Sequence, residues 1–157
     1  MRMRSGMAPA VILTLALGGC LDPESGELTE ESEEPAASVP ADAGIASVSV
    51  GETLRVEFGW INSSIGDSWH LVGAPDPSVL TEVGAEYTDH PDCEEGASGC
   101  DSGLAWDFET VAAGTTTVEF QYCYRSAPDD CVGAGLDENG EPAEPPPPEV
   151  LTVEVTD

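Results

Sequence analysis

Residues 104–124 read LAWDFETVAAGTTTVEFQYCY, and two β-strands can be read from them. Leu104, Trp106 and Phe108 occupy alternate positions, with Ala105 and Asp107 between them. After an Ala112-Ala113-Gly114 turn, Val118, Phe120, Tyr122 and Tyr124 alternate in the same way. A period of two places one set of side chains on one face of a sheet, so each run predicts a strand with a buried face. The period recurs on both sides. Leu54, Val56 and Phe58 alternate with Thr53, Arg55 and Glu57; Trp69 and Leu71 alternate next; Leu151, Val153 and Val155 close the chain. No segment has a helical period with caps. Turn clusters separate the strands at Gly73-Ala74-Pro75, 92–103, 113–114, 137–140 and the proline-rich 142–148. Several short strands over roughly 110 residues predict one all-β domain, an antiparallel sandwich or barrel over 44–157.

Upstream the texture is different. Arg2 and Arg4 precede an apolar run from Met7 to Leu17. That run is shorter than the ~20 residues a membrane span needs and has the flanks of a secretory signal. It ends in Leu17-Gly18-Gly19-Cys20, which resembles the lipobox of bacterial lipoproteins. The reading predicts that residues 1–19 are removed and that Cys20 is acylated as the first mature residue. A lipid anchor in a bacterial envelope follows, in the outer membrane if the cell has one, because Leu21 does not resemble an inner-membrane retention signal. Residues 20–43 carry carboxylates, Ser, Pro and Ala with little to bury, and read as a disordered acidic tether.

The chain has four basic residues against 31 acidic ones, a net charge of −27. Losing residues 1–19 would leave only Arg55 and Arg125. Such a field repels nucleic acid and anionic lipid, so the membrane is approached through the lipid alone and no nucleic-acid partner is expected. With Cys20 acylated, Cys93, Cys100, Cys123 and Cys131 remain, an even number in an oxidising compartment, and two disulfides are expected. Three pairings exist; Cys93–Cys100 with Cys123–Cys131 is favoured because each closes a short local loop. A zinc site is the competing use, but the spacings lack the short C-x2-C form that zinc favours. Asp137-x-Asn139-Gly140 has only part of a calcium loop's ligand set. No metal or cofactor is expected.

The order of features resembles the chagasin family, exported inhibitors of papain-like cysteine peptidases. Val50-Gly51-Glu52 leads into an alternating strand, and Asn62-Ser63-Ser64-Ile65-Gly66 follows, with Trp69 three residues later. Gly99-Cys100-Asp101-Ser102-Gly103 precedes the strand quoted above, and Tyr122 leads to Tyr124-Arg125-Ser126. The family has Asn-Pro-Thr-Thr-Gly shortly before a Trp, a Gly-x-Gly-Gly loop, and a third loop carrying Arg-Pro-Trp. Here Ser63 replaces the Pro, Asp101 and Ser102 stand where glycines occur, and no third-loop Trp is present. The resemblance spans roughly 47–157.

It implies an immunoglobulin-like fold and a monomeric, non-enzymatic protein whose three loops converge into a wedge that blocks a peptidase cleft. The implied contacts are Asn62, Ser63, Ser64, Ile65 and Gly66, then Gly99, Asp101, Ser102 and Gly103, then Tyr124, Arg125 and Ser126. Ser64 and Ile65 would face the catalytic pair, and Tyr124 would be the aromatic anchor. Trp69, Trp106 and Phe120 are expected inside. Trp60 fits either core or surface; His70 alternates outward, and His90 lies in a loop. No Ser/His/Asp, Cys/His or paired-carboxylate arrangement suggests catalysis. The rival reading is a structural or adhesive surface module that keeps the fold without inhibiting anything.

Overall fold

The computed structural model describes residues 37–94 and 98–157. The expected signal segment, Cys20 and the tether up to residue 36 lie outside the described residues. The strands are β1 (Ala37–Pro40), β2 (Ile45–Ser49), β3 (Thr53–Ile61), β4 (Asp67–Gly73), β5 (Leu80–Asp89), β6 (Ser102–Thr110), β7 (Gly114–Tyr124) and β8 (Glu149–Thr156). They form two four-stranded sheets, ordered β1-β3-β6-β5 and β2-β8-β7-β4. The expected sandwich is present; β3, β4, β6, β7 and β8 are the strands expected from the sequence, β1, β2 and β5 are additional, and two expectations are corrected.

The first concerns strand direction. β1 pairs with β3 in parallel, and β2 pairs with β8 in parallel, so each sheet is mixed rather than wholly antiparallel. The second concerns the tether, which was expected to run to residue 43. Ala37–Pro40 instead hydrogen-bond along β3, and Ala41 in the following short 3-10 turn is buried. Few apolar side chains are needed for this, because an open strand edge recruits a neighbour through main-chain groups.

The two inner faces meet in a core of Leu54, Val56, Phe108, Val118, Phe120, Leu151 and Val153, all fully buried. Phe120 is at its centre, with ring centroids 4.8 Å from Phe58, 5.7 Å from Trp106 and 6.2 Å from Phe108. Trp69 and Trp106 are not fully inside; both are half-buried and pack against this core. Trp106 keeps its ring edge near solvent, where its indole N–H donates to Glu82 at 2.9 Å. A buried indole needs such a partner.

A β-bulge in β3 decides what the loop end looks like. The register with β6 slips between Glu57 and Gly59, and Gly59 has φ 71°. One extra residue inverts the alternation. Leu54 and Val56 point inward before it; beyond it Ile61 is buried and Trp60 is turned outward. On the same outer face, Arg55 donates to Asp107 at 2.8 and 2.7 Å and to Glu86, linking β3, β6 and β5. The hydrogen bonds to Asp107 push the guanidinium pKa further above its ordinary value, despite partial desolvation, so Arg55 remains a fixed cation.

Candidate functional site

Three loops gather at the end of the sandwich where β3, β5 and β7 finish. Loop 1 is a single 3-10 turn, Ser63–Ile65, between β3 and β4. Its fold follows from two residues. Asn62 caps it, with Oδ1 accepting from the Ser64 N–H at 3.2 Å and from the Ser64 hydroxyl. Gly66 closes it with φ 99°, a conformation that disfavours any Cβ. Ser63, Ser64 and Ile65 are left exposed at the tip, Ile65 by 48 %.

Both neighbouring loops are bonded to this turn. Asn62 Nδ2 donates to the Gly99 carbonyl at 3.0 Å, joining loop 1 to loop 2. Arg125 joins it to loop 3: its backbone N–H donates to the Gly66 carbonyl at 2.8 Å and its Nε to the Ile65 carbonyl at 2.8 Å. The two residues pack so closely that a Cβ on Gly66 would lie 3.2 Å from Arg125 Cα and N. The structure therefore brings Asn62–Gly66, Gly99 and Arg125 together, as the three-loop arrangement requires.

The base of loop 1 is held by Asp67. Oδ1 accepts from the Tyr122 hydroxyl at 2.6 Å and Oδ2 from the Asn62 N–H at 3.3 Å. Burial, and then the bond to the Asp67 carboxylate, push the Tyr122 pKa up to about 12. The protonated phenol is thus the form the fold favours. Its contribution is complete below the ordinary tyrosine pKa of about 10 and is lost as pH rises through 12. In an absorbance titration compared with Tyr122→Phe, the Tyr122 phenol should ionise well above the ordinary tyrosine range, near pH 12, and Asp67→Asn should bring it down towards that range. A Tyr122 phenol that ionises at about pH 10 in the native protein would contradict this link.

Each flanking loop is stapled by a disulfide, Cys93–Cys100 in loop 2 and Cys123–Cys131 in loop 3, the two local pairs favoured from the sequence. Their access differs. Cys123 is fully buried, whereas Cys93 and Cys100 are both half-buried in a surface loop. Thiol exchange needs an approach to a sulfur. Cys131 is half-buried too, but its partner Cys123 is sealed in the core, so limited reductant should open Cys93–Cys100 first, with Cys123–Cys131 following more slowly. Alkylation and peptide mass mapping over time would show the order, and the reverse order would refute it.

The remaining predicted contact residues divide. Asp101 is exposed beside loop 2. Ser102 and Gly103 are the first two residues of strand β6 rather than part of a free loop. Ser126 serves its own loop, its hydroxyl accepting from the Val132 N–H at 3.0 Å. Tyr124 is half-buried, and the Arg125 guanidinium lies over its ring, 5.0 Å from the centroid. The resemblance implies an anchor role for this ring, and one of its faces is already in contact with Arg125. An exposed aromatic beside loop 1 is Trp60, 51 % exposed, with its ring 4.4 Å from that of His90. The period-two pattern gave no sign of this, because the bulge at Gly59 is what turns Trp60 outward.

Among the described residues no cluster of His, Cys, Asp and Glu could hold a metal ion. The Asp137 carboxylate is instead occupied in its own turn, accepting from the Asn139 and Glu141 N–H groups at 2.8 and 2.9 Å.

Comparison with known proteins agrees with this architecture. The model of the Chagasin family peptidase inhibitor I42 matches residues 47–132, more than half of the chain. Among solved structures, the cysteine protease inhibitor EhICP2 of Entamoeba histolytica superposes with a TM-score of 0.52 at 17% identity, covering 78% of this chain and 99% of that one. The solution structure of Amebosin gives 0.50 at 16% identity, covering 78% and 100%. At such identities the superpositions speak for the fold alone. No curated protein matches the chain. The family match reaches from β2 through the third loop as far as Val132, and on that ground this chain belongs to the chagasin family of peptidase inhibitors.

Proposed function

We propose that this protein inhibits papain-like cysteine peptidases by presenting loop 1 to the catalytic cleft, with loops 2 and 3 on either side. The observation that carries the reading is the bonding of the three loops into one unit: Asn62 to Gly99, and Arg125 to Gly66 and Ile65. A cleft is entered most cheaply by a surface that is already ordered, since little freedom remains to be lost on binding. The tip is small and uncharged, which suits close approach to a Cys/His pair. Ser64 and Ile65 would occupy that position without offering a strained bond for cleavage.

A lipid anchor at Cys20 completes the proposal. β1 runs parallel to β3 with Ala37 opposite Leu54, so the chain enters the sandwich at the end remote from the loops. One observation favours the rival adhesive module: Tyr124 and Ser126 are both engaged within their own loop. Residual papain activity against rising amounts of purified residues 21–157 separates the two. Stoichiometric loss of activity supports inhibition; full activity at micromolar inhibitor supports the module.

A further inference from the structure

Trp60 has more built around it than a stray surface aromatic needs. It lies opposite Gly103 in the β3–β6 register. A Cβ on Gly103 would come within 3.3 Å of its Cζ3, so the missing side chain there is the seat for the indole. His90 packs against it with rings tilted by 56°. The backbone that carries His90 is fixed in turn, because its carbonyl accepts from the Cys93 N–H at 2.9 Å, next to the loop 2 disulfide. A half-exposed Trp held in this way has already lost its side-chain freedom, so binding through it costs little further ordering. It stands two residues before Asn62 and touches the start of β6, so it is continuous with both loop 1 and loop 2. Tyr87 is also exposed, by 56 %, but it pairs with Leu104 on the opposite face of the sheet.

We propose that Trp60 is the aromatic anchor of the inhibitory surface, seated with His90 on an apolar part of the peptidase beside its cleft, on the loop 2 side. This rests on the inhibitory reading above. Buried aromatics at the centre of contact commonly dominate an interface, and Trp leads among them. Tyr124, masked by Arg125, leaves that role open, and the bulge at Gly59 supplies Trp60 for it. The contact shifts from the third loop to the outer face of the β1-β3-β6-β5 sheet. The peptidases inhibited best should then be those with an apolar rim on that side.

The test measures inhibition of papain by the wild type, Trp60→Ala, Trp60→Phe and Val83→Ala. Val83 is 60 % exposed on β5 and controls for general stickiness. Trp60→Ala should weaken inhibition about thirtyfold or more, Trp60→Phe should recover part of the loss, and Val83→Ala should change nothing. A second readout uses the intact protein labelled with 5-fluorotryptophan, since unlabelled papain is silent in fluorine NMR. On complex formation the Trp60 resonance should shift and lose solvent access, while those of Trp69 and Trp106 stay in place. If the wild type inhibits papain, but Trp60→Ala does so equally and its resonance does not move, the anchor is wrong and the inhibitory reading stands. If the wild type neither inhibits papain nor perturbs any resonance, both fall.

Discussion

Replacing Phe120 by alanine is expected to lower the thermal midpoint by roughly 12–20 °C. The ring is fully buried and meets Phe58, Trp106 and Phe108 edge-on or tilted, so it joins the two sheets as well as filling the space between them. Truncating such a ring removes its transfer free energy and leaves a cavity that close-packed neighbours only partly fill. The usual cost is about 3–5 kcal/mol, and a domain of this size loses roughly 4 °C per kcal/mol. The two disulfides still limit the freedom of the unfolded chain locally, and the rest of the core is unchanged, so the variant should still fold at room temperature. Calorimetry with the disulfides intact makes the measurement. A fall below about 5 °C would mean that the aromatic cluster is not the packing centre.

The second large effect is expected at Gly66. Gly66→Ala should weaken inhibition by roughly thirty- to a thousandfold while leaving the sandwich folded. Two costs act together. A φ of 99° is strained for any residue with a Cβ, by about 1–3 kcal/mol. The added methyl would also press on Arg125 Cα and N at 3.2 Å. Relief requires loop 3 to move away, which breaks the bond from the Arg125 N–H to the Gly66 carbonyl, worth about 1 kcal/mol. The sum, about 2–4 kcal/mol, converts to the stated range at 1.4 kcal/mol per decade. Gly140→Ala is the control. Its φ is 82°, yet nothing lies within 4 Å of an added Cβ, so it should cost some stability and no inhibition. Equal inhibition by Gly66→Ala and the wild type would show that the docking of loop 3 on loop 1 is irrelevant to binding.

Part of this end of the molecule is legible from residue order. Asn62 and Gly66, four positions apart, cap and close one turn, and loop 1 is reached from the sequence through the family resemblance these residues carry. Cysteine parity and short separations lead to the two staples. The same reasoning misses the role of loop 3. Arg125 reaches back across the fold to carbonyls about sixty positions earlier, and Tyr124 is covered as a result. It also misses β5, whose residues after Leu80 are mostly exposed because the strand lies at a sheet edge. With one flank open, neither face needs to be apolar throughout, and the period-two signal fades.

Local order therefore determined what depends on near neighbours in the chain: the central strands, with one face of each apolar, the turn at Asn62–Gly66, and the pairing of cysteines seven and eight residues apart. Tertiary structure alone decided three further matters. It drew Ala37–Ala43 into the sandwich, because a strand edge offers main-chain partners to any sequence that can extend. It set the direction of the edge pairings, which depends on where the chain crosses between sheets. It also turned Trp60 to the surface, because the bulge at Gly59 is a mismatch between β3 and β6, two strands some forty residues apart, and exists only once they are paired.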